Sequence, residues 1–106
     1  MNRQQQIDLF LLDAHRLALA RLRAQPERLR DVAALLARWR EQAGPTRSDP
    51  YWDEWTGLLQ EGVEAIEREA CGTGDHAAAL RSVSPLSVLI NQQERSAMLD
   101  KARHTG

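Results

Sequence analysis

Apolar residues recur at three- and four-residue intervals near the start of the chain. Ile7, Phe10, Leu11, Ala14, Leu17, Ala18 and Leu22 share one face of a helix predicted over about residues 4–24. Leu9, Leu12 and Leu19 fall outside that stripe, so the apolar arc is wider than a surface helix needs. Two readings fit such an arc: a central helix contacted from two sides, or a flank reserved for a partner. Asn2 is placed to cap this helix, with Gln5 three residues on as its reciprocal partner. A second helix starts at Pro26-Glu27, because proline lacks an N–H that the first turn cannot use and the acid suits the helix dipole. Leu29, Val32, Ala33, Leu36 and Trp39 form its apolar face as far as about Gln42, and Gly44-Pro45 ends it.

Residues 43–50 read as the one clear linker, rich in Gly, Pro, Thr and Ser. Helix restarts at Ser48-Asp49-Pro50, with a capping side chain before proline and Asp53 and Glu54 early in the helix. Gly57 weakens this helix and Gly62 ends or kinks it; Val63, Ile66 and Ala70 mark a further short helix stopping at Gly72. Asp75 is expected to cap a helix through Arg81, and Ser84-Pro85 to start a turn carrying Leu86, Val88, Leu89 and Ile90 inward. Asn91 and Glu94 form a capping box for a last helix with Met98, Leu99 and Ala102 on its apolar face, fraying from Arg103 to Gly106. The expected fold is all-α: one domain, residues 1–106, a small helical bundle with two longer N-terminal helices followed by several short ones.

Composition sharpens that picture. Ala and Leu contribute fifteen residues each against seven for Val and Ile together, which favours helix over sheet. At 106 residues, 42% hydrophobic and 27% charged, the chain suits one modest soluble core. It has no apolar run long enough for a membrane span and no signal-peptide core, and its single cysteine, Cys71, forbids an internal disulfide. A cytoplasmic protein is expected. Charge is unevenly spread. Residues 1–47 hold nine arginines against five acids, whereas residues 48–106 hold ten acids against five bases.

Catalytic signatures are poor. His15, His76 and His104 are scattered, with no Cys, Asp or Glu at a familiar metal-ligand spacing, so neither metal nor cofactor is expected. Cys71 has no nearby histidine to raise its thiolate fraction and reads as a small hydrophobe. Gly72-Thr73-Gly74 lacks the lysine and the preceding strand of a phosphate loop. Asp53 and Glu54 are adjacent on a helix and point apart, which is no carboxylate pair for glycoside chemistry. No catalytic residue is assigned and a non-enzymatic protein is expected. A DNA-binding regulator that uses the arginine-rich first half is the alternative, as is an adaptor within a larger complex. Against DNA, Arg16, Arg21, Arg23, Arg28, Arg30, Arg38 and Arg40 do not share a face, and salt links to the acidic second half account for them as well.

The most informative stretch is Tyr51-Trp52-Asp53-Glu54-Trp55. Tryptophans at positions i and i+3 suit a core, but Trp and Tyr also dominate binding hot spots. Here they border a row of acids, Asp53, Glu54, Glu61, Glu64, Glu67 and Glu69, which is either a solvated face or a surface shaped for a basic cleft that holds phosphates. The second reading turns the indole rings outward. Trp52 and Trp55 then serve as apolar anchors, with Asp53, Glu54, Glu61 and Glu64 facing the partner's bases.

The tail carries a resemblance. Leu80-Arg81-Ser82-Val83-Ser84-Pro85-Leu86, then Val88-Leu89-Ile90 and Glu94-Arg95, resembles the ending of a group of small, all-helical bacterial proteins. Asp53-Glu54-Trp55 with Leu58-Leu59, and Leu36-Ala37-Arg38-Trp39, are similar to further short motifs of that group, so the likeness spans about residues 25–100. The group often has an aromatic after Ser-Pro where this chain has Leu86. Its members tend to be encoded beside nucleotidyltransferase-like toxins. The resemblance therefore implies an antitoxin-like protein that neutralises a toxin-like enzyme, and it adds Arg81 to the candidate partner contacts.

Overall fold

The computed structural model describes residues 3–104 and is all-α. Its elements are α1 (Arg3–Ala24), α2 (Arg28–Ala43), α3 (Asp49–Glu61), α4 (Val63–Ala70), α5 (Asp75–Ser82), a 3₁₀ segment (Pro85–Leu89) and α6 (Gln92–His104). Two longer helices thus lead several short ones, as the periodicity predicts. The expected Asn2 cap and the frayed end at Thr105 and Gly106 lie outside the described residues.

Helix α1 is the axis of the bundle. It packs against α4, α5, the 3₁₀ segment and α6, while α2 rests on α3 and the 3₁₀ segment. This resolves the wide apolar arc in favour of a central helix: Leu19, off the main stripe, is buried along with Ala14, Ala18 and Leu22. Around them Val32, Leu36, Trp55, Ile66, Leu80 and Leu86 complete a single core. Among the described residues no helix is long and apolar enough to cross a membrane.

The ends of the helices follow local chemistry, with three departures from expectation. Gly44 stops α2 at φ +66 and returns its N–H to the Arg40 carbonyl, the left-handed turn that only glycine adopts at low cost. Asn91 and Glu94 close the predicted capping box: the Glu94 N–H donates to Asn91 Oδ1 at 2.8 Å and the Asn91 N–H to Glu94 Oε1 at 3.1 Å. Ser48, however, makes no side-chain cap for α3. Asp49 instead folds the linker onto the helix by accepting from the Thr46 N–H and hydroxyl, each at 3.2 Å. Gly74 occupies the cap position of α5, so Asp75 lies in the first turn, where its charge still suits the dipole. Ser84 does cap the 3₁₀ segment, accepting from the Leu86 N–H at 3.1 Å. The tighter three-residue turn buries Leu86 and Leu89 but rotates Val88 outward, leaving it 49% exposed.

One polar clamp fixes the last helix. Arg21 of α1 donates to the Leu89 carbonyl and to both carboxylate oxygens of Glu94, joining α1, the end of the 3₁₀ segment and the start of α6. The pairing holds the Glu94 carboxyl below its usual range and pushes the guanidinium further up.

Candidate functional site

Trp55 does not face outward. It is fully buried, and its Nε1–H donates to the Leu80 carbonyl at 2.9 Å. Trp52 is half-buried against Trp39, with its Nε1–H donating to the Val83 carbonyl at 3.0 Å. Both indoles turn inward to carbonyls at the C-terminal end of α5, that of Leu80, which also receives the Val83 N–H at 3.3 Å, and that of Val83 just past the helix. Arg81 is also interior, 5% exposed, and its Nη1 donates to the Ala70 and Gly72 carbonyls at 2.8 and 2.7 Å, satisfying the end of α4 in the same way. Trp55, expected as an outward anchor, and Arg81, expected as a partner contact, are instead parts of the monomer's interior.

The acids remain at the surface. Asp53, Glu54, Glu61 and Glu69 line a shallow depression of about 540 Å³ beside Gly57 and Leu58, together with Arg68 and His76. Asp53 is paired with Arg40 at 2.6 Å and Glu54 with His76 at 2.8 Å. Glu69 lies 3.2 Å from Arg68, and Glu61 is exposed. A β-carbon built on Gly57 meets nothing within 4 Å, so the floor of the depression is open there. Glu64 is exposed but lies outside this lining, on the side of α4 where Arg23 sits 3.8 Å away and pairs with Glu67. Of the predicted contact residues, the fold thus gathers Asp53, Glu54 and Glu61 and separates Glu64, Trp52, Trp55 and Arg81 from them.

Three of the nine arginines of the first half reach acids of the second half. Arg21 pairs with Glu94, Arg23 with Glu67 and Arg40 with Asp53, each across the boundary between the basic and acidic halves. Cys71 is half-buried, and burial pushes its thiol pKa up, which suits an unreactive side chain.

A second site was not visible in the sequence. Phe10, Leu11, Ala14, Leu86 and Ile90 wall a cavity of about 200 Å³ between α1, α5, the 3₁₀ segment and α6, and His15, Arg81, Ser82, Ser84, Ser87 and Arg95 complete its lining. His15 is 4% exposed and tilts against the Trp55 ring, centroids 6.2 Å apart. Its Nδ1 lies 2.7 Å from the Leu11 carbonyl. A carbonyl only accepts, so Nδ1 carries the hydrogen and Nε2 keeps a bare lone pair. Burial, reinforced by the positive charge of Arg81, pushes the imidazole pKa down to about 4, with the Leu11 hydrogen bond opposing; the ring is neutral at pH 7. His15 Nε2 and Arg81 Nε are buried atoms that find no hydrogen-bond partner. Spacing along the chain gave no sign of this pair, because 65 intervening residues carry His15 and Arg81 on different helices.

Comparison with known protein families, with curated proteins and with solved structures finds no match to this chain.

Proposed function

We propose that this chain is a non-enzymatic, antitoxin-like protein that binds a co-encoded nucleotidyltransferase-type enzyme and covers its phosphate-handling cleft with the acidic corner of α3 and α4. The observation that carries the reading is the depression lined by four acidic residues, of which Asp53, Glu54 and Glu69 are paired and Glu61 enters none of the ion pairs among the described residues, with an open floor at Gly57. A lysine or arginine of a basic cleft finds there both space and opposite charge, and such complementarity speeds encounter and selects partners. The resemblance of the tail to small helical proteins encoded beside toxins supports the same reading. The anchors assigned to Trp52 and Trp55 are dropped; the contact is chiefly electrostatic, with the carboxylates imitating the charge of a nucleotide.

The test is copurification with the product of the neighbouring gene, followed by binding kinetics of charge-reversed variants. Glu61→Lys combined with Glu69→Lys is expected to slow association by about tenfold at low salt, and the difference should shrink as salt is raised. Gly57→Gln, which places a side chain in the depression, is expected to weaken binding at every salt concentration. Unchanged kinetics in both variants would remove the acidic corner from the interface, and failure to copurify would remove the antitoxin reading.

A further inference from the structure

The outer face of α2 carries a charge pattern that the rest of the chain leaves unanswered. The helix turns Val32 and Leu36 into the core, with Leu29 and Trp39 packed beside them. On the side turned away from the core, Arg30, Ala34, Ala37 and Glu41 follow one another at intervals of four, three and four residues and so share one face. All four are exposed, as are Asp31 and Arg38 along one flank of that face. Arg30, Asp31, Arg38 and Glu41 enter none of the ion pairs among the described residues. Beside the face, Leu29, Ala33, Leu36 and Leu59 line a largely apolar groove of about 190 Å³ between α2 and α3.

We propose that this face is the contact between two copies of the chain, which pair antiparallel through α2 about a twofold axis between Ala34 and Ala37. The placement of charge selects this arrangement. Arg30 and Glu41 stand at opposite ends of the face, equally far from its midpoint, so an antiparallel copy brings each Arg30 to Glu41 of the partner subunit. Asp31 and Arg38 are centred within one residue of the same point. A twofold axis sets like flanks side by side, so each Asp31 meets Arg38 of the partner subunit. A parallel copy would instead place arginine against arginine and acid against acid, which is repulsive. Ala34 and Ala37 at the centre let the two axes approach to roughly 8 Å, the near end of the range for packed helices, and keep the long charged side chains within reach. The second copy's helix also roofs the groove beside the face and takes Leu29 and Ala33 out of water. At 16 residues α2 is about 24 Å long, so the contact is small and the association weak. The groove shares no lining residue with the acidic depression of α3 and α4, so each copy keeps its acidic corner free for another protein.

Sedimentation equilibrium of the full chain, from about 10 μM to about 1 mM, tests the pairing. The native chain is expected to dimerise with a dissociation constant of roughly 0.3 mM in low salt, and about tenfold more weakly once salt screens the four ion pairs. Arg30→Glu and Glu41→Arg, each alone, set like charges opposite one another and are expected to weaken dimerisation at least about tenfold in low salt. Mixed in equal amounts, the same two variants restore every pair, because one presents only acids at the ends of the face and the other only arginines. They are expected to form a heterodimer at least as tight as the native dimer. The double variant Arg30→Glu/Glu41→Arg exchanges both ends and is expected to dimerise like the native chain. Arg95→Glu, a reversal of an exposed charge on α6, is expected to leave dimerisation unchanged. A native chain that stays monomeric at about 1 mM in low salt overturns the proposal. So does dimerisation that survives both single reversals, a mixture of the two that associates no better than either alone, or an equal loss in Arg95→Glu, which would trace the effect to net charge.

Discussion

His15 and Trp55 show how much a single side chain decides here. The unfolded chain protonates His15 near pH 6.5, whereas the folded chain resists until about pH 4. The folded pKa lies below the unfolded one, so between those values the unfolded state binds more protons and stability rises with pH. The contribution is complete above about pH 6.5 and lost on acidification toward pH 4, roughly 2 kcal/mol of it between pH 7 and pH 5. Denaturant titrations of the native chain and His15→Leu are expected to show this slope only in the former. For Trp55, replacement by Ala empties the centre of the core and is expected to cost about 3–5 kcal/mol, while Trp55→Phe keeps most of the volume and loses the bond to Leu80, costing about 1–2 kcal/mol. Thermal or chemical denaturation ranks the two.

At the scale of elements, α3 and α6 are held by different means. Helix α3 is anchored through its buried face, and Gly57 is a weak point within it. Since a β-carbon there meets nothing and the backbone is helical, Gly57→Ala is expected to raise stability by about 1 kcal/mol, read as a shift in the unfolding midpoint. Helix α6 has a thin apolar face, with Ala102 alone buried among the residues of the helix whose burial is described, and the Arg21–Glu94 clamp ties its start to α1. Arg21→Gln is expected to release it: amide exchange should accelerate across residues 92–102 while α1 to α4 keep their protection. Equal protection in the variant would show that packing alone holds α6. The capping box at Asn91 was legible because both partners lie within four residues, but the clamp was not, since its halves are 73 residues apart.

On the scale of the whole molecule, α1 joins the two halves that differ in charge and flank the linker. It contacts α4, α5, the 3₁₀ segment and α6, and Arg21 and Arg23 pair with acids of the second half. The connection through the exposed residues 45–47 therefore runs over the surface between parts of one core. Cleavage after Arg47 is expected to leave two fragments that co-elute until denaturant is added, and the intact chain to unfold in a single transition. Separate elution of the fragments, or two transitions, would show that the halves fold independently.

The number of helices, their order and most of their boundaries were written in the sequence, because the three-four spacing of apolar residues, glycine at stops and capping side chains act within a few residues of each other. The acidic character of residues 49–69 was equally plain, being a matter of composition. Tertiary structure alone decided where the indoles point, since the carbonyls that receive Trp52 and Trp55 belong to Val83 and Leu80, beyond the reach of any local pattern. It also decided which acids share a depression and brought His15 to Arg81. A helix end leaves carbonyls that must be satisfied, and which distant donor arrives is settled only when the chain closes on itself.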